Sequence, residues 1–331
     1  MNVQKTIAIL GAGSWGTAIA IHIANTGRNV MLWARNPQHV ASMQTTRCNQ
    51  RYLPSIKLPD SLQVTNNLHE CSASADEVII AVPSHSFSEL IQLIDKPARG
   101  IAWLTKGLDP SSNQFLSQIV ANHWGEEFSV AAISGPSFAK EVAQSLPTAL
   151  TLAGNNITYQ ESTRNLLHHQ NLRVYLSNDL IGVQLCGAVK NVLAIACGIS
   201  DGLHFGANAK AALITRGLTE MRRLGKVLGA RDESFMGLAG VGDLVLTCTD
   251  DQSRNRRFGL HLGHGISSQE AEKLIGQVVE GKHNAAQICL LADRHQVEMP
   301  ICTVVNSLLK GELNPQQAVL QLMSRSARDE D

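Results

Sequence analysis

Aromatic residues are scarce in this 331-residue chain, at 4%, and they do not interleave with basic residues as a base-stacking surface requires. Net charge is missing as well. Lys plus Arg total 28 and Asp plus Glu total 28, so no long-range field draws the chain to nucleic acid or to an anionic membrane, and no nucleic-acid partner is expected. Cysteine occurs seven times, at 48, 71, 186, 197, 248, 289 and 302, without a C-x-x-C pair. An odd count with that spacing argues against a disulfide framework and a zinc knuckle, so a reducing cytoplasm is expected and no metal. The start, MNVQKTIAIL, has too short an apolar stretch for a secretory signal and lacks a small-residue cleavage site. Internal repeats, low-complexity tracts and a long Gly/Ser linker are absent too.

With 44% hydrophobic and 17% charged residues, the chain reads as globular, and its length suggests two domains. Ile181 to Ser200 needs a membrane check, because Lys190 is its only charge. A lysine at mid-bilayer costs about 2.5 to 3.5 kcal/mol, and Asp179 and Asp201 flank the stretch without a basic anchor. A buried helix fits better than a membrane span.

Residues 6–10, 29–34, 77–82, 100–104 and 129–133 are nearly continuous apolar runs, and residues 17–26 carry helical spacing after the first of them. Such runs suit strands covered on both faces, which predicts an α/β fold: a Rossmann-type, doubly wound, mostly parallel sheet. Residues 148–152 and 172–176 can extend it. Beyond about residue 180, Ala- and Leu-rich segments at 181–200, 208–229, 270–280 and 284–295 dominate. Residues 1–180 are therefore expected to form an α/β domain and residues 181–331 an all-helical one.

Gly11-Ala12-Gly13-Ser14-Trp15-Gly16 matches G-x-G-x-x-G between the first strand and the first helix. In that setting the first glycine turns the chain, the second admits a pyrophosphate and the third lets helix and strand pack closely. The second strand ends Trp33-Ala34-Arg35, where the NAD pattern has a carboxylate. A guanidinium there can pair with a 2′-phosphate, so NADP(H) is favoured and NAD(H) remains open.

Lys190 lies mid-helix among apolar and small residues, where desolvation favours proton exchange near neutral pH, and Asn191 is a possible hydrogen-bond partner. Lys106 follows the C-terminal end of a predicted strand, as does the Ser134-Gly135-Pro136-Ser137 turn, and open α/β sheets bind ligands at those ends. Asp243 and Thr247 share a helical face by their spacing. Ser253-Arg254-Asn255-Arg256-Arg257 sets three guanidiniums where a small phosphate or the cofactor could meet them. The histidines at 168, 169, 261 and 264 lack an obvious carboxylate partner and read as surface residues.

Taken together, GAGSWGTA at 11–18, TKG at 105–107, SGPSFAKEV at 134–142, CGAVKNVLAIACGISDGL at 186–203, GLAGVGDLVLTCT at 237–249, SRNRRFG at 253–259 and VVEG at 278–281 resemble the bacterial NAD(P)-dependent glycerol-3-phosphate dehydrogenases. The resemblance spans nearly the whole chain. It implies reversible reduction of dihydroxyacetone phosphate to sn-glycerol 3-phosphate, the precursor of glycerophospholipids. On matching positions it implies that Lys190 is the general acid and base, that Lys106 holds the substrate near the nicotinamide, and that Asp243 and Thr247 support the reacting end. Arg254 and Asn255 would take the phosphate, with Gly135, Ser137 and Ser253 as further substrate contacts. Ser14, Trp15, Arg35, Lys106, Ala139, Arg254, Val278 and Glu280 would join the glycines around the cofactor, and the family suggests a homodimer. Two other readings stay open: a related dehydrogenase whose SRNRRF cluster binds a carboxylate, and a catalytically silent NADP(H) sensor.

Overall fold

In the computed structural model, which describes residues 5–323, two compact units divide the chain as Met1–Gln184 and Leu185–Asp331. Residues 1–4 and 324–331, the outer ends of the two expected domains, lie outside the described residues.

The first unit runs β1 (Thr6–Leu10), α1 (Ser14–Ala24), β2 (Asn29–Trp33), α2 (Pro37–Thr46), β3 (Cys48–Asn49), β4 (Leu53–Lys57), β5 (Leu62–Thr65) and α3 (Leu68–Ala73). It continues through β6 (Glu77–Ile80), α4 (Phe87–Leu93), β7 (Ile101–Trp103), α5 (Leu116–Trp124), β8 (Val130–Ser134), α6 (Ala139–Ala143), β9 (Thr148–Gly154), α7 (Ile157–Leu167) and β10 (Leu172–Ser177). Eight strands form one sheet in the order β10-β9-β8-β7-β6-β1-β2-β5. Every pairing in it is parallel except β8 with β9, so the sheet is mostly parallel as the apolar runs predict. β6 and β8 are buried along their whole length, the signature of strands covered on both faces. The chain leaves β1 for β2 on one side and returns to β6 on the other. Sheets of this kind bind ligands at such a reversal, beyond the carboxyl ends of the strands. Helix α1 starts at Ser14 with Gly13 as its N-cap, three residues ahead of its apolar periodicity, because the glycine loop itself feeds the first turn.

The second unit is helical, and α8 (Leu180–Gly202) begins five residues before its boundary in the sequence. There follow α9 (Gly206–Val227), α10 (Asp232–Met236), α11 (Asp243–Thr249), α12 (Arg254–Gly263), α13 (Ser268–Ile275), α14 (Glu280–Arg294), α15 (Pro300–Leu309) and α16 (Pro315–Met323). Among the described residues, α8 is the one helix long and apolar enough to cross a membrane, and 89% of its most apolar window is buried inside the protein. A wide turn over Leu238–Gly242 leads straight into α11. A Cβ on Gly240 would sit 2.2 Å from the Phe235 carbonyl oxygen, so only glycine fits that approach. α11 therefore begins with Asp243 in its first turn, where the helix dipole favours a carboxylate.

Candidate active site

The glycine loop separates what the fold requires from what a ligand requires. Gly11 has φ +127°, and a Cβ on it would lie 2.7 Å from the Ala81 carbonyl carbon. At Gly16 a Cβ would lie 2.0 Å from the Gly11 oxygen, so helix and strand touch there. Gly13 differs, with an ordinary φ of −74° and nothing within 4 Å of the space a Cβ would fill. Chain packing does not demand glycine at that position. A pyrophosphate lying against the backbone does, and the Trp15 indole Nε1 nearby is buried without a hydrogen-bond partner. These residues fit a dinucleotide.

The loop is braced by a residue that sequence reasoning passed over. Asn49 in β3 is fully buried, and its Nδ2 donates to the Ala12 carbonyl at 3.0 Å and to Thr17 Oγ1 at 2.8 Å. Ser14 Oγ donates to the Tyr52 carbonyl at 2.9 Å, tying the same hairpin to the start of α1. A lone Asn between two short polar strands carries no pattern that could have flagged it. Arg35, two residues past β2, is exposed, and its Nη1 lies 4.0 Å from Glu89 on α4.

Lys106 stands three residues past β7, in a loop fixed by Asp109. The Asp109 carboxylate accepts from Ser111 Oγ at 2.6 Å, from the Ser112 amide at 2.8 Å, from Ser112 Oγ at 2.7 Å, and from Ser88 Oγ. Burial pushes that carboxyl up, but the bonds from the three serines outweigh it and hold it down at about 2. Thr105 Oγ1 donates to the Val82 carbonyl at 2.7 Å, which ties the loop to the chain following β6. At the end of β8, Gly135 takes φ +138°, Ser137 Oγ donates to its carbonyl at 2.9 Å, and Ala139 opens α6.

In the second unit, α8 brings Lys190 against α11. Lys190 Nζ donates to Asp243 Oδ1 at 2.6 Å and to Thr247 Oγ1 at 2.8 Å, and all three residues are at most 6% exposed. Thr247 also lies against the Asp243 carbonyl at 2.6 Å, so the two share one face of α11 as their spacing predicts. Beside Thr247, burial pushes the Cys248 thiol well up, which keeps it protonated and unreactive. A buried ammonium facing a carboxylate and a hydroxyl is held in one place and kept from bulk water.

Asn191, the next residue on α8, links three helices. Its Nδ2 lies 3.2 Å from Glu280 Oε2 on α14, and its Oδ1 accepts from Asn255 Nδ2 at 2.9 Å. Asn255 Oδ1 in turn accepts from the Gly281 amide at 2.9 Å. Asn255 is thus oriented from both ends of its amide. Ser253 caps α12 by accepting from the Arg256 amide at 3.2 Å, and Arg254 Nη1 lies 3.3 Å from Gln277 Oε1. Val278 is exposed, two residues before Glu280 begins α14. The three guanidiniums of the SRNRR run do not act as one patch, because Arg256 is taken up by Asp201 and Asp251.

The chain is similar to known proteins of one family over nearly its whole length. The profile described as NAD-dependent glycerol-3-phosphate dehydrogenase N-terminus matches residues 6–160, and its C-terminus counterpart matches residues 179–320. A Legionella pneumophila protein named glycerol-3-phosphate dehydrogenase [NAD(P)+] is 66% identical over 327 residues, covering 99% of both chains. A Serratia proteamaculans protein of the same name is 48% identical over 333 residues, covering 99% of this chain and 98% of the relative. The crystal structure of glycerol-3-phosphate dehydrogenase from Coxiella burnetii superposes with a TM-score of 0.94 at 50% identity, covering 97% of this chain and 99% of that one.

Proposed function

The chain belongs to the NAD-dependent glycerol-3-phosphate dehydrogenase family, and on that premise we propose that it reduces dihydroxyacetone phosphate reversibly to sn-glycerol 3-phosphate. The observation that carries the reading is the buried Lys190 ammonium held by Asp243 and Thr247. The nicotinamide, when bound, supplies the hydride to the carbonyl carbon. Lys190 holds the proton at Nζ and gives it to the carbonyl oxygen as that oxygen gains charge, so the alkoxide never has to form free. In the oxidative direction the same nitrogen accepts the proton. Asp243 and Thr247 fix the ammonium in place.

Arg254 and Asn255 grip the substrate phosphate, a fork and an amide suited to several oxygens at once, with Ser253 as a further contact. Lys106, Gly135 and Ser137 are further substrate contacts. Gly11, Gly13, Ser14, Trp15, Gly16, Arg35, Lys106, Ala139, Arg254, Val278 and Glu280 hold the cofactor. NADP(H) is the favoured cofactor because Arg35 stands where an NAD-selective site has a carboxylate. The product feeds glycerophospholipid synthesis, the enzyme is cytoplasmic, and it works as a homodimer. Seven free, buried cysteines suit a reducing compartment.

The test is absorbance at the reduced-nicotinamide band with dihydroxyacetone phosphate, NADPH and NADH in parallel, on wild type and Lys190→Met. Oxidation of the cofactor by wild type that falls about a thousandfold in the variant is the expected result. Tight NADPH binding by wild type with no substrate-dependent oxidation would overturn it and favour a sensor.

A further inference from the structure

Arg256 occupies the third position of α12, yet its guanidinium turns away from any ligand role. Nε donates to Asp201 Oδ2 at 2.9 Å, Nη2 lies 2.6 Å from the same oxygen, and Nη1 meets Asp251. Asp201 also receives Lys210 Nζ at 2.8 Å. Two cations thus face two carboxylates, and the cluster has no charge left over for a substrate anion. The Arg256 and Asp201 side chains are only 11% and 13% exposed, so water screens that pair little, whereas the Asp251 side chain is open to water.

The groups it joins belong to four parts of the helical unit: the last turn of α8, the start of α9, the turn before the Ser253 cap, and the first turn of α12. Helices α8 and α12 themselves meet backbone to backbone. A Cβ on Gly198 would lie 2.0 Å from the Arg256 carbonyl oxygen, and one on Gly259 would lie 2.1 Å from that of Ile195. Gly202 against Leu260 and Gly263 against Ile199 leave only 2.5 Å. Contacts climb together along both helices, from Asn191 with Asn255 to Ile195 with Gly259 to Ile199 with Gly263, so the helices run in the same direction.

Such a seam fixes how close two helices come. Because only glycine fits at those four points, the seam resists a slide by a whole residue, but it leaves smaller shifts and turns of the first turn of α12 to be stopped. The charged cluster supplies that stop, with a planar fork whose geometry a flexible ammonium cannot copy. Lys190 and Asn191 ride on α8, while Arg254 and Asn255 ride on the first turn of α12. Sliding at the seam changes the distance between proton donor and phosphate grip.

We propose that Arg256 is a positioning residue for phosphate recognition: through Asp201 and Asp251 it locks the register of α12 on α8, and so sets where Arg254 meets the substrate phosphate relative to Lys190. This rests on the functional reading above. Misplacement by about an ångström costs on the order of 100-fold in a reaction that depends on two fixed anchors. A substrate without phosphate makes no use of the second anchor.

The experiment compares kcat and KM for dihydroxyacetone phosphate and for dihydroxyacetone, on wild type, Arg254→Ala, Arg256→Met, Arg256→Lys and Asp201→Asn. Circular dichroism and the KM for NADPH report on folding. Arg256→Met is expected to lose about 30- to 100-fold in kcat/KM for the phosphorylated ketone, mostly through KM, and to stay within twofold on dihydroxyacetone. Arg256→Lys, which keeps the charge and is the variant that guards against misfolding, is expected to lose about tenfold with the same selectivity. Equal losses on both substrates, or no loss on either, overturn the proposal. Arg254→Ala keeps the two levels apart. If that variant also fails to distinguish the substrates, the phosphate assignment itself falls, whereas if it distinguishes them and the Arg256 variants do not, only the register lock falls.

Discussion

Lys190 in the helical unit and Arg35 in the sheet unit are both cations assigned to the same reaction, but their surroundings are opposite. Lys190 is 6% exposed with a carboxylate at 2.6 Å and a hydroxyl at 2.8 Å. The Arg35 side chain is 79% exposed, with one carboxylate at 4.0 Å that is itself open to water. A charge taken out of water must be matched by fixed partners, and those partners then hold it to one position. An exposed charge is screened, mobile and nearly free of cost to the fold. On the proposed function, the contrast would put the chemistry in the interior and leave cofactor choice to a surface residue that can change without disturbing it.

The strongest way to break that contrast is to remove the buried charge. Lys190→Met is expected to lower kcat about a thousandfold through loss of the general acid, and also to destabilise the helical unit. Asp243 would be left buried without its cation, at a cost of about 3 to 5 kcal/mol. Adding Asp243→Asn should recover most of the lost melting temperature while recovering none of the rate. A double variant that regained activity would show that Lys190 is not the proton donor; a single variant of full stability would show that the pair is not desolvated in solution.

Glu220 sharpens the comparison, because it is a buried carboxylate without an ion pair at contact distance among the described residues. It stands on α9 and accepts from the Ile301 amide at 2.7 Å and from the Cys302 amide at 3.4 Å, at the start of α15. Burial pushes its carboxyl up to about 7, against the lowering effect of the two amides and of Arg223 and Arg216. Folded protein therefore keeps a proton that the unfolded chain, at about 4.5, has released. The resulting stability is complete below pH 4.5 and is lost as pH rises through 7, by roughly 3 kcal/mol in total. Glu220→Gln stays neutral throughout, so its urea midpoint should gain on wild type steadily from pH 5 to pH 8. Parallel profiles for the two proteins would show that the carboxyl titrates normally.

Features made by repetition or by a fixed spacing were legible in the sequence. The apolar runs announced β1, β2, β6, β7 and β8, and the i,i+4 spacing announced that Asp243 and Thr247 share a face. Short mixed segments were silent: β5 is only four residues and half polar, and the β3–β4 hairpin that carries Asn49 has no periodicity to read. Helix limits moved for physical reasons as well. The segment expected to run over 270–280 stops at Ile275, because Gly276 adopts a left-handed turn there, and α14 starts early, at Glu280. Pairing across distant segments left the least trace. Three arginines in five residues looked like one anion site, and only the fold reveals that Asp201, far along the chain, had already claimed Arg256. The sequence offers Asn191 as a possible hydrogen-bond partner of Lys190 but gives no sign that its amide joins Glu280 and Asn255.

The smallest effects belong to the exposed pair, and they have opposite signs. If Arg35 meets a 2′-phosphate, Arg35→Ser should lower the NADPH-to-NADH ratio of kcat/KM about tenfold, since a charge-assisted bond at an open site is worth about 1.5 kcal/mol. Glu89 competes for the same guanidinium and repels the same phosphate. Glu89→Gln should therefore raise the ratio, by about threefold at low salt, and the gain should shrink as added salt screens both interactions. Neither variant should change the melting temperature measurably, because each removes a solvated group. A ratio unmoved by both substitutions would place the adenosine end of the cofactor elsewhere. A fall on removing Glu89 would mean that this carboxylate holds Arg35 in its binding posture, so that even the open end of the comparison depends on a fixed partner.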